Sequence, residues 1–147
     1  MALPPVEEKI RELCGAGTTS MTQVVERLVV ICQKPINLLE HAGDWGSLTA
    51  LKVEFEDRIN VLYPPQKSLQ YKLHCIYHEL GHIYLEKLDL ALPEISQSLL
   101  KETTDAISVS CRHIEDDPVE RWVEDFAFIM SKKTRTRSSS AHDPFLC

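Results

Sequence analysis

The stretch His74-Cys75-Ile76-Tyr77-His78-Glu79-Leu80-Gly81-His82 decides how the rest of the chain is read. Two histidines four residues apart on a helix lie about 6 Å apart along its axis and about 40° apart around it, so both imidazoles reach one metal ion. Glu79 projects to one side of that pair, where a carboxylate can take a proton from water at the metal without becoming a ligand. This is the HExxH arrangement of zinc peptidases. His74 extends the row to i, i+4 and i+8, which makes His74 with His78 a rival pair. That pair lacks the carboxylate, because Cys75 occupies the position equivalent to Glu79. Cys75 itself reads as a small buried thiol.

Catalytic zinc keeps three protein ligands and one open position, so a third ligand must come from elsewhere. A metzincin would need Gly at 85 and His at 88, and both positions are leucine. The thermolysin-like alternative takes a glutamate from a second helix, and a late segment with apolar residues Val119, Val123, Phe126 and Met130 offers Glu120 and Glu124. Glu120 is nearer the buried side of that helix, which makes it the expected ligand. Glu124 and His74 stand behind it as supporting groups or alternative ligands. A competing role exists for Glu120: with Asp117 as N-cap and Pro118 at the first helical position, it could close a capping box and bond only the backbone. Glu86 reads as a solvent-facing charge. Tyr77, Tyr84 and His113 are candidate donors to an oxyanion.

Working outward, Pro4-Pro5 opens a short helix that Gly15 stops, and the Thr18-Thr19-Ser20 cluster offers N-caps for a longer one ending near Lys34-Pro35. The period then changes to two. Ile36 and Leu38, then Leu51, Val53 and Phe55, then Ile59, Val61 and Tyr63 read as three short antiparallel strands. Ser68 can cap the motif helix, which runs to about Leu88. Residues 94–112 look helical in part, and Asp116-Asp117-Pro118 starts a final helix to about Lys132. The expected fold is therefore α+β: a small antiparallel three-stranded sheet packed with helices, HExxH on a central helix, zincin-like. Residues 1–131 form the single domain, and the basic, serine-rich residues 132–147 a disordered tail.

The 147 residues, 44% hydrophobic and 26% charged, fit one domain. No apolar run approaches the roughly 20 residues that span a bilayer, and no secretory signal is visible at the N-terminus, so a soluble, cytoplasmic protein is expected. Five cysteines without a Cys-x-x-Cys spacing suit reduced thiols. The net charge is −6, and residues 1–131 alone carry −9. An acidic body argues against a phosphate-binding surface and against direct nucleic-acid binding.

From about residue 22 to 131 the chain resembles the ImmA/IrrE-type metallopeptidase family, especially its short actinobacterial and mobile-element members. The shared features are a helix leading into Lys34-Pro35-Ile36-Asn37-Leu38-Leu39, the His78-Glu79-Leu80-Gly81-His82 helix, and the late Asp116-Asp117-Pro118-Val119-Glu120 helix leading to Glu124-Asp125-Phe126-Ala127. Trp122-Val123-Glu124 stands where the family commonly has Glu-Ala-Asn, and its usual Leu-Met-Pro ending is absent. The resemblance implies a zinc-dependent endopeptidase that cleaves a partner protein, a helix-turn-helix regulator of a mobile element. In that role His78, His82 and Glu120 hold Zn2+, for which Mn2+ could substitute, and Glu79 is the catalytic base. Two alternatives remain open: a non-catalytic zinc-binding sensor that docks a transcription factor, and the toxin component of a two-gene system.

Overall fold

A computed structural model describes residues 3–15, 19–46, 48–65, 68–90, 106–111 and 117–137, with backbone alone for 106–111 and 135–137. Helix α1 (Val6–Cys14) ends at Gly15, whose φ of 72° suits a residue without a Cβ. Ser20 starts α2 (Met21–Cys32) with a reciprocal cap: its hydroxyl accepts from Gln23 N, and its own N–H donates to the Gln23 side chain. Ser68 likewise accepts from Tyr71 N and starts the motif helix α3 (Leu69–Lys87). The final helix is α4 (Pro118–Arg137).

The α+β class holds, but the sheet differs from the expected antiparallel triplet. Its four strands are β1 (Ile36–Glu40), β2 (Leu51–Phe55), β3 (Ile59–Tyr63) and β4 (Ala106–Cys111), in the order β1-β3-β2-β4. β2 pairs antiparallel with β3 and with β4, whereas β1 pairs parallel with β3, so the sheet is mixed. Alternation with period two tells which residues share a face and is silent on strand direction. The parallel register sets Ile36 and Leu38 beside Ile59 and Val61, and Asn37 beside Asn60, to whose Oδ1 it donates at 3.0 Å. β4 lies within the stretch read as partly helical, where the sequence carries no clear period.

β2 also presents an unexpected face. Lys52 and Glu54 pair across the ladder with Val61 and Ile59, on the face that α3 covers. Both are buried, Lys52 to 1% exposure. Their partners come from α3 and from the α2–β1 connection. Lys52 forms an ion pair with Glu86, and Glu54 accepts from Lys34 and Lys87, each at 2.7 Å. Burial alone would raise the Glu54 pKa, but the two lysines hold it below the usual carboxylate range. Glu86 is therefore not the solvent-facing charge expected: its side chain is 6% exposed because Lys52 reaches it from the sheet.

The hydrophobic core joins α1, α2, the inner faces of β1 and β3, and the facing sides of α3 and α4. α4 runs past the end expected near Lys132, because Thr134 is buried there. The Thr134 hydroxyl accepts from Tyr77 at 3.0 Å and donates to the Met130 carbonyl at 2.8 Å. The remainder of the expected tail, 138–147, lies outside the described residues. Among the described residues no helix is long and apolar enough to cross a membrane.

Removing one partner of a buried ion pair leaves the other charge desolvated and alone. Lys52→Met is accordingly expected to lower the unfolding free energy by about 3 to 5 kcal/mol in urea titrations. A Lys52→Met, Glu86→Leu double variant should recover most of that loss. Equal destabilisation by the single and double changes would show that the pair is not what Lys52 contributes.

Candidate metal centre

α3 is buried continuously from Cys75 to Leu85, so His78, Glu79 and His82 are all carried into the interior. Such a helix requires polar partners from whatever packs on it. α4 supplies them, running antiparallel to α3. The two helices pack tightly at Gly81, where an added Cβ would lie 3.0 Å from Phe126 Cδ2 and 3.3 Å from Val123 Cγ1. The Phe126 ring is held by a stacked Trp122 at 5.5 Å and an edge-on Tyr77 at 6.4 Å. Trp122 in turn donates to the Pro4 carbonyl at 2.7 Å, anchoring α4 to the segment before α1.

At the start of α4, Asp117 Oδ1 accepts from Val119 N at 2.7 Å. Asp117 thus serves as the cap, and both oxygens of Glu120 turn to the histidines of α3. Glu120 Oε2 lies 3.0 Å from His78 Nε2, and Oε1 lies 2.9 Å from His82 Nε2. The two imidazole centroids are 5.1 Å apart. One ligand atom from each of His78, His82 and Glu120 falls within 4.8 Å of the others, and all three residues are buried. This group can hold a metal ion. Its donors, two imidazole nitrogens and one carboxylate oxygen, are the set used by catalytic zinc with a fourth position open.

Glu79 lies beside this group, 1% exposed, with Oε2 at 3.3 Å from His78 Nδ1. A proton on Nδ1 facing that carboxylate leaves the Nε2 lone pair for a metal, the usual outer support of a ligating histidine. Glu79 Oε1 and Glu120 Oε1 are buried and lack a hydrogen-bond partner among the described residues. Glu120 Oε1 nonetheless keeps its charge contact with His82 Nε2 at 2.9 Å. Buried carboxylate oxygens with hydrogen-bonding capacity to spare fit a bound cation or water. Burial would raise the Glu120 pKa, yet contact with His78 and His82 and their charge pull it down to about 2.

Glu124 takes the next position outward. Its Oε2 lies 2.5 Å from His74 Nε2 and its Oε1 3.8 Å from His78 Nε2, with its side chain 34% exposed. His74 and Glu124 therefore pair with each other, alongside the buried group. The Tyr77 and Tyr84 phenols donate elsewhere, to Thr134 and to the Lys9 carbonyl. His113 lies outside the described residues. Two residues outside the expected set, Tyr71 and Phe128, share this seam at a spacing visible in the sequence. Tyr71, His74, His78 and His82 make one row on α3, and Glu120, Glu124 and Phe128 a facing row on α4. No protein-family model matches the chain, and none of the curated proteins or solved structures compared with it matches.

Two consequences can be measured. Gly81→Ala gains up to about 1 kcal/mol in helix propensity, but overpacking of this kind costs about 1 to 3 kcal/mol where the neighbouring ring is boxed in. A net loss of stability and of metal affinity is expected; a more stable protein with unchanged affinity would refute the close contact. Glu120, whose pKa falls from 4.5 to about 2 on folding, stabilises the chain above pH 4.5, and that stabilisation disappears as pH falls through about 2. In chelator-treated protein, Glu120→Gln should therefore be less stable than wild type near about pH 5, with the gap closing toward about pH 2.

Proposed function

We propose that this chain is a zinc-dependent endopeptidase with a zincin-like fold, of the ImmA/IrrE type its sequence resembles. Its substrate in this reading is a partner protein, a helix-turn-helix regulator. The observation that carries the proposal is the meeting of His78 and His82 with Glu120, from separate helices, in one buried group that has Glu79 at its side.

Zinc, when bound, supplies Lewis acidity toward a scissile carbonyl. The chain's own residues do the rest. His78 and His82 present Nε2, and Glu120 presents a carboxylate that remains ionised at neutral pH. Glu79 is the proton carrier: Oε1, which has no hydrogen-bond partner among the described residues, takes a proton from the attacking water and returns it to the leaving amine. Its Oε2 stays beside His78 Nδ1 and fixes the tautomer. Burial of the whole group strengthens each of these electrostatic contacts. The same donors accept manganese, and metal analysis distinguishes the two.

Elemental analysis of the purified protein is expected to find one zinc per chain, and far less in Glu120→Ala. Glu79→Gln should retain zinc and cut a quenched-fluorescence peptide library roughly 10²- to 10⁴-fold more slowly. Undiminished cleavage by Glu79→Gln would overturn the mechanism. Bound zinc without cleavage in the wild type would instead favour a regulatory module that docks its partner intact.

A further inference from the structure

The two facing rows on α3 and α4 continue beyond the buried group. His82 and His78 meet Glu120, His74 meets Glu124, and one turn further out Tyr71 and Phe128 both line a cavity of about 450 Å³ together with Ser68, Gln70 and His74. His74 is thus shared: one side of it belongs to the cavity and its Nε2 contacts Glu124, which in turn approaches His78. Two of the cavity walls are aromatic and open to solvent, with Tyr71 41% and Phe128 51% exposed. Leu69, in the same first turn of α3, is also exposed. The polar groups that line the cavity are tied down. Ser68 Oγ caps Tyr71 N at 3.2 Å, and the Gln70 amide donates to Ser131 Oγ at 3.1 Å. Lys132 Nζ packs 4.2 Å from the Phe128 ring centroid.

We propose that this cavity is a substrate subsite that takes a bulky apolar side chain, of the size of phenylalanine or leucine, from the peptide whose backbone crosses the His78/His82/Glu120 group. The inference rests on the peptidase reading and names its substrate class. His74 and Tyr71 lie about 6 and 10 Å from His78 along the helix axis. An extended peptide advances about 3.3 Å per residue, so the recognised side chain sits two or three residues from the scissile bond. Two exposed aromatic walls offer surface that releases water when such a side chain covers them. A volume of this size holds one side chain and its flanking backbone.

The test is a titration followed by ¹H–¹⁵N NMR, with N-acetyl-phenylalanine amide, N-acetyl-leucine amide and N-acetyl-glycine amide as probes. The phenylalanine and leucine amides should shift the Tyr71, His74 and Phe128 resonances, at least tenfold more tightly than the glycine amide. Phe128→Ser, at a half-exposed position, should leave the fold intact and weaken both by tenfold or more. Equal binding of all three amides, or tight binding that survives Phe128→Ser, would overturn the subsite. So would shifts of the same resonances that depend on protein concentration in place of amide, which would assign the surface to a second copy of the chain. Because the titration reads binding and not cleavage, its failure is separate from failure of the peptidase reading, which metal content and Glu79→Gln decide.

Discussion

Everything at the candidate metal centre depends on the distance between α3 and α4 at Gly81. With no Cβ there, the Phe126 ring settles against the α3 backbone, and α4 lies close enough for Glu120 to reach both His78 and His82. The ring has little freedom to yield, because Trp122 and Tyr77 hold it on two sides. Close-packed interiors transmit small displacements instead of absorbing them. A shift of α4 at Phe126 would therefore be felt at Glu120, less than two turns away, where an ångström separates a ligand from a bystander. The contact made by one missing methyl group thus sets the geometry of three polar residues from two helices.

The chain buries charged side chains in two clusters, and the two differ in how completely the charges are matched. Lys52 is matched by Glu86, and Glu54 by Lys34 and Lys87, so each of these carboxylates meets an ammonium group. These contacts pin the C-terminal half of α3 to the sheet. At the other polar cluster the matching is incomplete. Glu79 and Glu120 each keep one buried oxygen without a hydrogen-bond partner among the described residues. Desolvating a carboxylate oxygen without a partner costs about 1 to 3 kcal/mol, and a domain tolerates that where a bound cation or water completes the site. Closed charge pairs hold the scaffold, and the open pair lies at the buried group that could hold a metal ion.

Seen along the seam, α3 and α4 form a graded surface. The buried end carries His82, His78 and Glu120; the middle carries His74 and Glu124, partly exposed; the outer end carries Tyr71 and Phe128. Two antiparallel helices whose side chains meet at intervals of three and four residues generate such a gradient with no specialised loop. A peptide lying along the seam would meet apolar surface, then polar groups, then the metal ligands. Recognition and chemistry would share the same two elements, and the contact at Gly81 would position both.

Much of this was legible in the chain itself. His78, Glu79 and His82 are close because helical periodicity makes them so, and that holds wherever the helix packs. The serine caps at 20 and 68, the stop at Gly15 and the alternating residues of β1 and β3 are also local matters, decided within a few residues. Glu120 was legible as a candidate, since its helix and the side it occupies follow from the apolar stripe around Val123 and Phe126. What only the tertiary structure decided is everything that depends on which surfaces meet. Period two could not tell the direction of β1, nor that β2 would turn Lys52 and Glu54 toward α3. Charged side chains read as solvated until their partners are known, and the partners of Lys52 and Glu54 lie on another element. Likewise α4 extends through Thr134 because Tyr77 waits for it across the seam, a contact 57 residues away in sequence. Local spacing specifies the elements and the chemistry they carry; burial and pairing, which are properties of the assembled chain, specify where those elements meet.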